Sequence, residues 1–222
     1  HFGENSLPPA NIPFVLLGTG LLWFGWFGFN AGSALAASTL AVSAFAVTNT
    51  AAAAAGLAWI LTDVANGKKV SALGFCIGAV VGLVAITPAA GFVTVPVSIF
   101  IGASASLVSN LVAHFGKKTA IDDTLDVFAC HGVGGMAGML LTGIFATSTI
   151  NEAVTSPGLA YGGTELFVNH LIALVGVSAF AFFGSLLLLK ITDLILPLRV
   201  STEDEAVGLD ISQHDEFLLE AV

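Results

Sequence analysis

Apolar residues run along this chain in six long blocks, and short polar stretches divide them. The blocks are Ile12–Phe29, Ala36–Leu61, Val70–Ile86, Val93–Ala113, Leu125–Phe145 and Leu166–Leu196, with most of the Pro, Asp and Lys between them. Each is about as long as a helix must be to cross a bilayer, roughly 20 residues at 1.5 Å per residue. Lipid offers no hydrogen-bond partner to a bare backbone, so a spanning segment is a helix or a strand of a closed barrel, and runs of this length predict helices. The pattern therefore predicts an all-α, polytopic membrane helix bundle of six transmembrane helices over residues 1–200, followed by an acidic tail over 201–222.

Composition supports that class: 56 % of residues are hydrophobic, only 9 % are charged, and the mean hydropathy is +0.95. Charge then orients the bundle. All six cations, Lys68, Lys69, Lys117, Lys118, Lys190 and Arg199, follow span two or span four or sit at the end of span six. By the positive-inside rule, even-numbered crossings end in the cytoplasm, which places both termini of this chain there, in a cell membrane. The net charge of −9 does not describe the bundle, because seven of the fifteen acids (Glu203, Asp204, Glu205, Asp210, Asp215, Glu216, Glu220) lie in the tail. On charge alone the tail is a solvated extension or a docking segment. The opening residues HFGENSLPPAN lack the basic region of a signal peptide, and the chain begins at His1 without methionine, so it reads as a piece of a longer protein.

Polar residues inside the spans are the candidates for chemistry. His131 lies near the middle of LDVFACHGVGGMAGMLLTGIF, where an ionised side chain would cost roughly 2.5–3.5 kcal/mol or more and is usually turned toward a bundle interior or a water path. It is either a functional residue facing such a path or a neutral imidazole satisfied by a neighbouring helix. Glycines 132, 134, 135 and 138 let a helix or small molecule approach its backbone. Gly74, Gly78 and Gly82 recur every four residues and predict a flat packing face, a spacing that Gly28 and Gly32 repeat. Thr48, Asn49 and Thr50 interrupt span two and are expected to tie helices together. Asp122, Asp123 and Asp126 open span five as helix caps, Asp123 and Asp126 at capping-box spacing. Asp126 and His131 are turned about 140° apart on a helix and do not form a dyad.

Several chemistries find little support. His114 and His170 read as interfacial residues and His214 belongs to the tail, while Cys76 and Cys130 read as small apolar packing residues. No pair of His, Cys or carboxylates has metal-ligand spacing within one span, and neither a GxSxG nor a Gly-rich phosphate loop is present. No metal or cofactor is expected, and a membrane enzyme would need a second ionisable group facing His131. Trp23, Phe24, Trp26, Phe27 and Phe29 crowd the end of span one, too closely spaced for all to face lipid. Their ring faces can attract a small cation.

Two segments, NIPFVLLGTGLLWFGWFGFNAGS (11–33) and DDTLDVFACHGVGGMAGMLLTGIFA (122–146), closely resemble the ammonium transporter (Amt/Mep/Rh) family. GLVAITPAAGFV (82–93) and LRVSTEDEAVGLDISQH (198–214) extend the resemblance nearly end to end. It implies a homotrimer with one pore per subunit, built from two inverted five-helix halves and an eleventh helix, of which this chain resembles the second half plus the last helix. Ser33 then resembles the serine of the outer ammonium recruitment site, Phe29 one of two stacked phenylalanines that close the pore, and Trp26 a tryptophan of the upper pore. His131 matches the second of the family's twin histidines, and Thr87 falls in a segment near the lumen wall. The partner histidine, the other gate phenylalanine and the recruitment tryptophan belong to the family's first half, which this chain does not supply.

The function implied is movement of ammonium or ammonia: a cation is recruited, gives up its proton and passes through an apolar pore as ammonia. Potassium, of similar size, has no proton to surrender. The alternative is a non-conducting sensor or assembly subunit that keeps the fold. The tail's likeness implies a P-II-type signalling protein as regulatory partner, although Asp215 and Phe217–Leu218 replace the Gly and Ala-Tyr usual in the family. No nucleic-acid partner is expected.

Overall fold

A computed structural model describes residues 9, 11–119, 121 and 123–216. Asp122, the first eight residues and the tail residues Phe217, Leu218 and Glu220, all of which enter the sequence expectations, lie outside the described residues. The chain divides into two compact units, residues 1–174 and 175–222. All regular structure among the described residues is helical: α1 (Ile12–Ala31), α2 (Thr39–Ala65), α3 (Ala72–Ile86), α4 (Val95–Gly116), α5 (Gly134–Phe145), α6 (Glu165–Ile195), α7 (Thr202–Val207) and α8 (Leu209–His214). Among the described residues, six segments are long and apolar enough to cross a membrane: Ile12–Ala34, Thr39–Ala65, Ala72–Ala89, Val95–Gly116, Phe128–Phe145 and Glu165–Ile195. They correspond one for one to the six apolar blocks.

The helices begin where local chemistry frees them to. Asn11, Ser38 and Ser71 each accept a backbone N–H three residues on, from Phe14, Ala41 and Gly74, so α1, α2 and α3 start with a satisfied donor. Pro96 opens α4, at a position where its missing N–H costs nothing.

Inside the first unit, α2 packs mainly on α3 and α4. The contact is built from alanines and β-branched residues. Val47 and Ala51 of α2, Val81 and Ala85 of α3, and Ile101 and Ala105 of α4 are all wholly buried. In a bilayer there is no hydrophobic drive between helices, so close van der Waals contact replaces it. Glycines allow that approach: a methyl group added at Gly78 would meet the Ala55 carbonyl oxygen at 2.7 Å, and one at Gly82 would meet the Cα of Ala52 at the same distance. The face predicted from Gly74, Gly78 and Gly82 is thus the one on which α2 lies. Gly102 of α4 and Gly138 of α5 abut the backbone carbonyls of Ala51 and Ala85 in the same way. Gly28 and Gly32 differ, since an added methyl at either would meet nothing within 4 Å in this chain.

Hydroxyls in the spans mostly satisfy themselves. Thr19, Thr48, Thr62, Thr142 and Thr192 each donate to the carbonyl four residues back in their own helix. Other polar bonds run between helices: Asn30 donates to Thr48 at 3.0 Å, Thr50 and Ser98 lie 2.7 Å apart, and Ser106 donates to the Ala55 carbonyl at 2.7 Å. Thr48 and Thr50 therefore tie helices as expected, whereas Asn49 between them is exposed.

The second unit holds the rest of α6 and the tail. Ser201 caps α7, and Arg199 grips both carboxylate oxygens of Glu205 at 2.8 and 3.0 Å. Gly208 turns the chain at φ 103° between α7 and α8, a backbone region that glycine enters without a Cβ clash. Residues 202–214 are thus two short helices and not an extended strand of charge.

Candidate functional site

Three of the five sequence candidates sit at the end of α1 and the short 3₁₀ turn Gly32–Ala34 that follows it. Phe29 is 63 % exposed, and Ser33 is exposed beside it. The Ser33 hydroxyl donates to the Phe29 carbonyl one turn back, which commits its one hydrogen and leaves the oxygen as an acceptor. Trp26 lies one turn below Phe29, their ring centroids 5.7 Å apart and their planes inclined at 57°. An apolar groove of about 580 Å³, lined by Gly18, Leu21, Leu22, Gly25, Trp26 and Phe29, follows this side of α1. The aromatic cluster is shared out: Phe27 stacks on Phe45 of α2 at 4.0 Å, while Phe24 stays exposed.

Thr87 joins this group from the other side. It ends α3 and opens the 3₁₀ turn Thr87–Ala89, and its hydroxyl oxygen accepts the indole N–H of Trp26 at 2.8 Å. Ser33, Phe29, Trp26 and Thr87 thus form one chain of direct contacts. No sequence spacing announces the last link, which spans 61 positions.

His131 stands apart from that chain. Among the described residues no hydrogen bond or ring contact joins it to the other four, and none from this chain satisfies its imidazole. It lies on a π-helical turn, Phe128–Val133, that leads into α5. The sequence predicts one continuous span from Leu125; the structure instead starts the helical region near Val127 and winds its first turn wide. Local chemistry accounts for the start. The Asp123 carboxylate accepts from the N–H groups of Val127 and Phe128 at 2.8 and 2.9 Å, as a cap should. Asp126 does not complete a capping box: it takes a left-handed φ of 52°, and its carboxylate faces Lys117 at 4.0 Å. π turns add a residue to a helical turn and recur at functional sites. Here the turn buries Ala129 and Cys130 and leaves His131 exposed.

Two polar contacts were not foreseen from the sequence. Asp63, buried near the end of α2, accepts from Lys68 Nζ at 2.9 Å and from Asn110 Nδ2 at 3.2 Å, tying α2, its following loop and α4. Its signal was present in outline as a lone acid five residues before a lysine. His170, read as interfacial, donates from Nδ1 to the Met139 carbonyl at 2.7 Å and holds the start of α6 to α5.

A family model for the Ammonium Transporter Family matches residues 2–218. The chain belongs to this family. It is 48 % identical over 215 residues to ammonium transporter Amt1 of Archaeoglobus fulgidus, covering 97 % of this chain and 54 % of that protein. The crystal structure of Candida albicans Mep2 superposes with a TM-score of 0.83 at 34 % identity, over 91 % of this chain and 46 % of Mep2. A solved sensor Amt protein superposes at 0.84 with 30 % identity, over 96 % of this chain and 51 % of its own. The chain spans about half the length of the ammonium transporters it matches. As a family member it is a multi-pass membrane protein of the same helical fold, and its candidate residues lie on a half-length chain that leaves Phe29, Ser33 and His131 uncovered.

Proposed function

We propose that this chain forms one half of a pore that carries ammonium or ammonia across a cell membrane. The observation that carries the reading is His131: an imidazole at membrane depth, exposed on a π turn and without a hydrogen-bond partner among the described residues. Such a group needs either water, a substrate or the facing half of a pore.

The local chemistry fits each assigned role. Ser33, its hydrogen committed to Phe29, offers only lone pairs, which suit the N–H donors of an ammonium ion. The ring faces of Trp26 and Phe29 attract a cation that has shed part of its water. Phe29 then restricts passage, and beyond it the apolar wall penalises charge, so the ion proceeds once it has given up a proton. The two ring nitrogens of His131 can exchange that proton and hydrogen-bond ammonia. Thr87 stands at the lumen wall.

The same reading makes residues 1–200 the membrane part of a homotrimer, both ends cytoplasmic, and residues 201–222 a regulatory segment. Val207 and Leu209 are exposed on the tail helices and give it apolar anchors for the cytoplasmic face or for a P-II-type protein. Transport is favoured over a purely sensing role by the family and by the relatives named as transporters.

The test is methylammonium uptake, with potassium competition, in cells making the full-length protein. His131→Ala and His131→Asp are expected to alter rate or selectivity, because a carboxylate holds a cation where a neutral imidazole does not. If both variants transport and discriminate like the parent, His131 does not line the path. The same assay on protein ending at residue 200 reports the tail, and unchanged uptake in all nitrogen conditions would leave it without a regulatory role. A parent protein that moves no methylammonium yet still binds ammonium would favour the sensor.

A further inference from the structure

An indole in the wall of an apolar pore brings one polar atom with it. Nε1–H is a donor with no acceptor capacity, and left bare it would bind whatever acceptor passed, water and ammonia included. In this chain the atom is occupied, because Trp26 Nε1 donates to Thr87 Oγ1 at 2.8 Å.

Thr87 is fixed for that purpose by a second bond. Its hydroxyl donates to the Leu83 carbonyl, also at 2.8 Å. A hydroxyl has one hydrogen and two lone pairs, so with the hydrogen on Leu83 the oxygen can only accept. The acceptor is therefore aimed at the indole before Trp26 arrives. β-branching restricts the side-chain torsion further, and the turn Thr87–Ala89 anchors the backbone with Pro88 next. Capture of an indole N–H is not automatic on this helix: Trp23, three residues earlier, has its Nε1 buried with no hydrogen-bond partner among the described residues. From Trp26 the arrangement continues to Phe29, whose ring rests 5.7 Å from the indole.

We propose that Thr87 is a positioning residue for permeation, holding the Trp26 indole at a fixed angle and taking up its N–H so that the pore meets only the apolar ring. Phe29 is braced from behind by the same contact. The inference rests on the reading of Trp26 and Phe29 as pore residues.

Thr87→Val keeps the shape and removes the acceptor, whereas Thr87→Ser keeps the acceptor and removes a methyl group. In the full-length protein, Thr87→Val should lower maximal methylammonium uptake by about fivefold, the order of one net hydrogen bond, with little change in half-saturation, and Thr87→Ser should restore it. In protein labelled with ¹⁵N-tryptophan, the indole N–H resonance lost in Trp26→Phe should move in Thr87→Val and stay in place in Thr87→Ser. In a Trp26→Phe background, which has no donor to hold, Thr87→Val should add no further loss. That arm also separates positioning from a general folding defect.

An unmoved Trp26 resonance in Thr87→Val overturns the positioning role, as does equal impairment of Thr87→Ser and Thr87→Val. A resonance that moves while uptake stays normal in both Thr87→Val and Trp26→Phe overturns instead the pore reading on which the inference stands.

Discussion

Hydroxyl groups in this chain act according to where their single hydrogen goes. Ser33 and Thr87 both donate to a carbonyl one turn back, and both thereby become acceptors toward something else. For Ser33 the consequence is a prediction: Ser33→Ala should raise the half-saturation for methylammonium about tenfold or more, since a hydrogen bond to a charged group is worth about 1.5–3 kcal/mol. The maximal rate should change less. Uptake measured at low ammonium and fixed pH checks it, and an unaltered half-saturation removes Ser33 from recruitment. Single residues were legible to different degrees. Ser33, Phe29, Trp26 and His131 lie in long motifs and could be marked from the sequence, where an imidazole amid apolar neighbours is conspicuous. The bond from Trp26 to Thr87 could not, because it exists only once α1 lies against the end of α3. Asp63 was passed over because an acid beside two lysines at a span's end looks like loop, although it is buried and bound to Asn110 of α4.

At the scale of elements, six apolar blocks became six spans, with boundaries displaced by a few residues where caps and glycines decide. The π turn at Phe128–Val133 was not legible, because an apolar run reads the same whether its first turn holds the usual complement of residues or one more. What separates them is the Asp123 cap, which fixes the amides of Val127 and Phe128. Glycine spacing was more informative, and it yields a prediction. Gly138 of α5 lies against the Ala85 carbonyl of α3, with no flexible side chain between them to give way. Gly138→Ala should therefore force the helices apart and destabilise the protein by about 1–3 kcal/mol. Gly135→Ala, whose added methyl would meet only a Val84 methyl at 3.7 Å, should be tolerated. Thermal unfolding of both proteins in detergent separates the cases, and equal melting temperatures would refute the close-packing account of Gly138.

For the whole molecule, the placement of every cation after span two, after span four or at the end of span six yields an orientation that can be checked directly. Single cysteines introduced at 68 and 118 should react with an impermeant thiol reagent only in opened cells, and one at 154 in sealed cells. Cys76 and Cys130 are buried and give little background. Labelling of 68 or 118, but not 154, from outside would invert the topology. The hydroxyls that close on their own helices bear on how such a chain is made. Because Thr19, Thr48, Thr62, Thr142 and Thr192 find acceptors within their own span, these hydroxyls in the first, second, fifth and sixth spans can enter lipid without waiting for a neighbour to cover them. Biosynthesis can therefore proceed largely span by span, leaving the ties made by Asn30, Ser98, Ser106, Asn110, Trp26 and His170 and the glycine contacts to form afterwards, when the helices meet laterally in the bilayer.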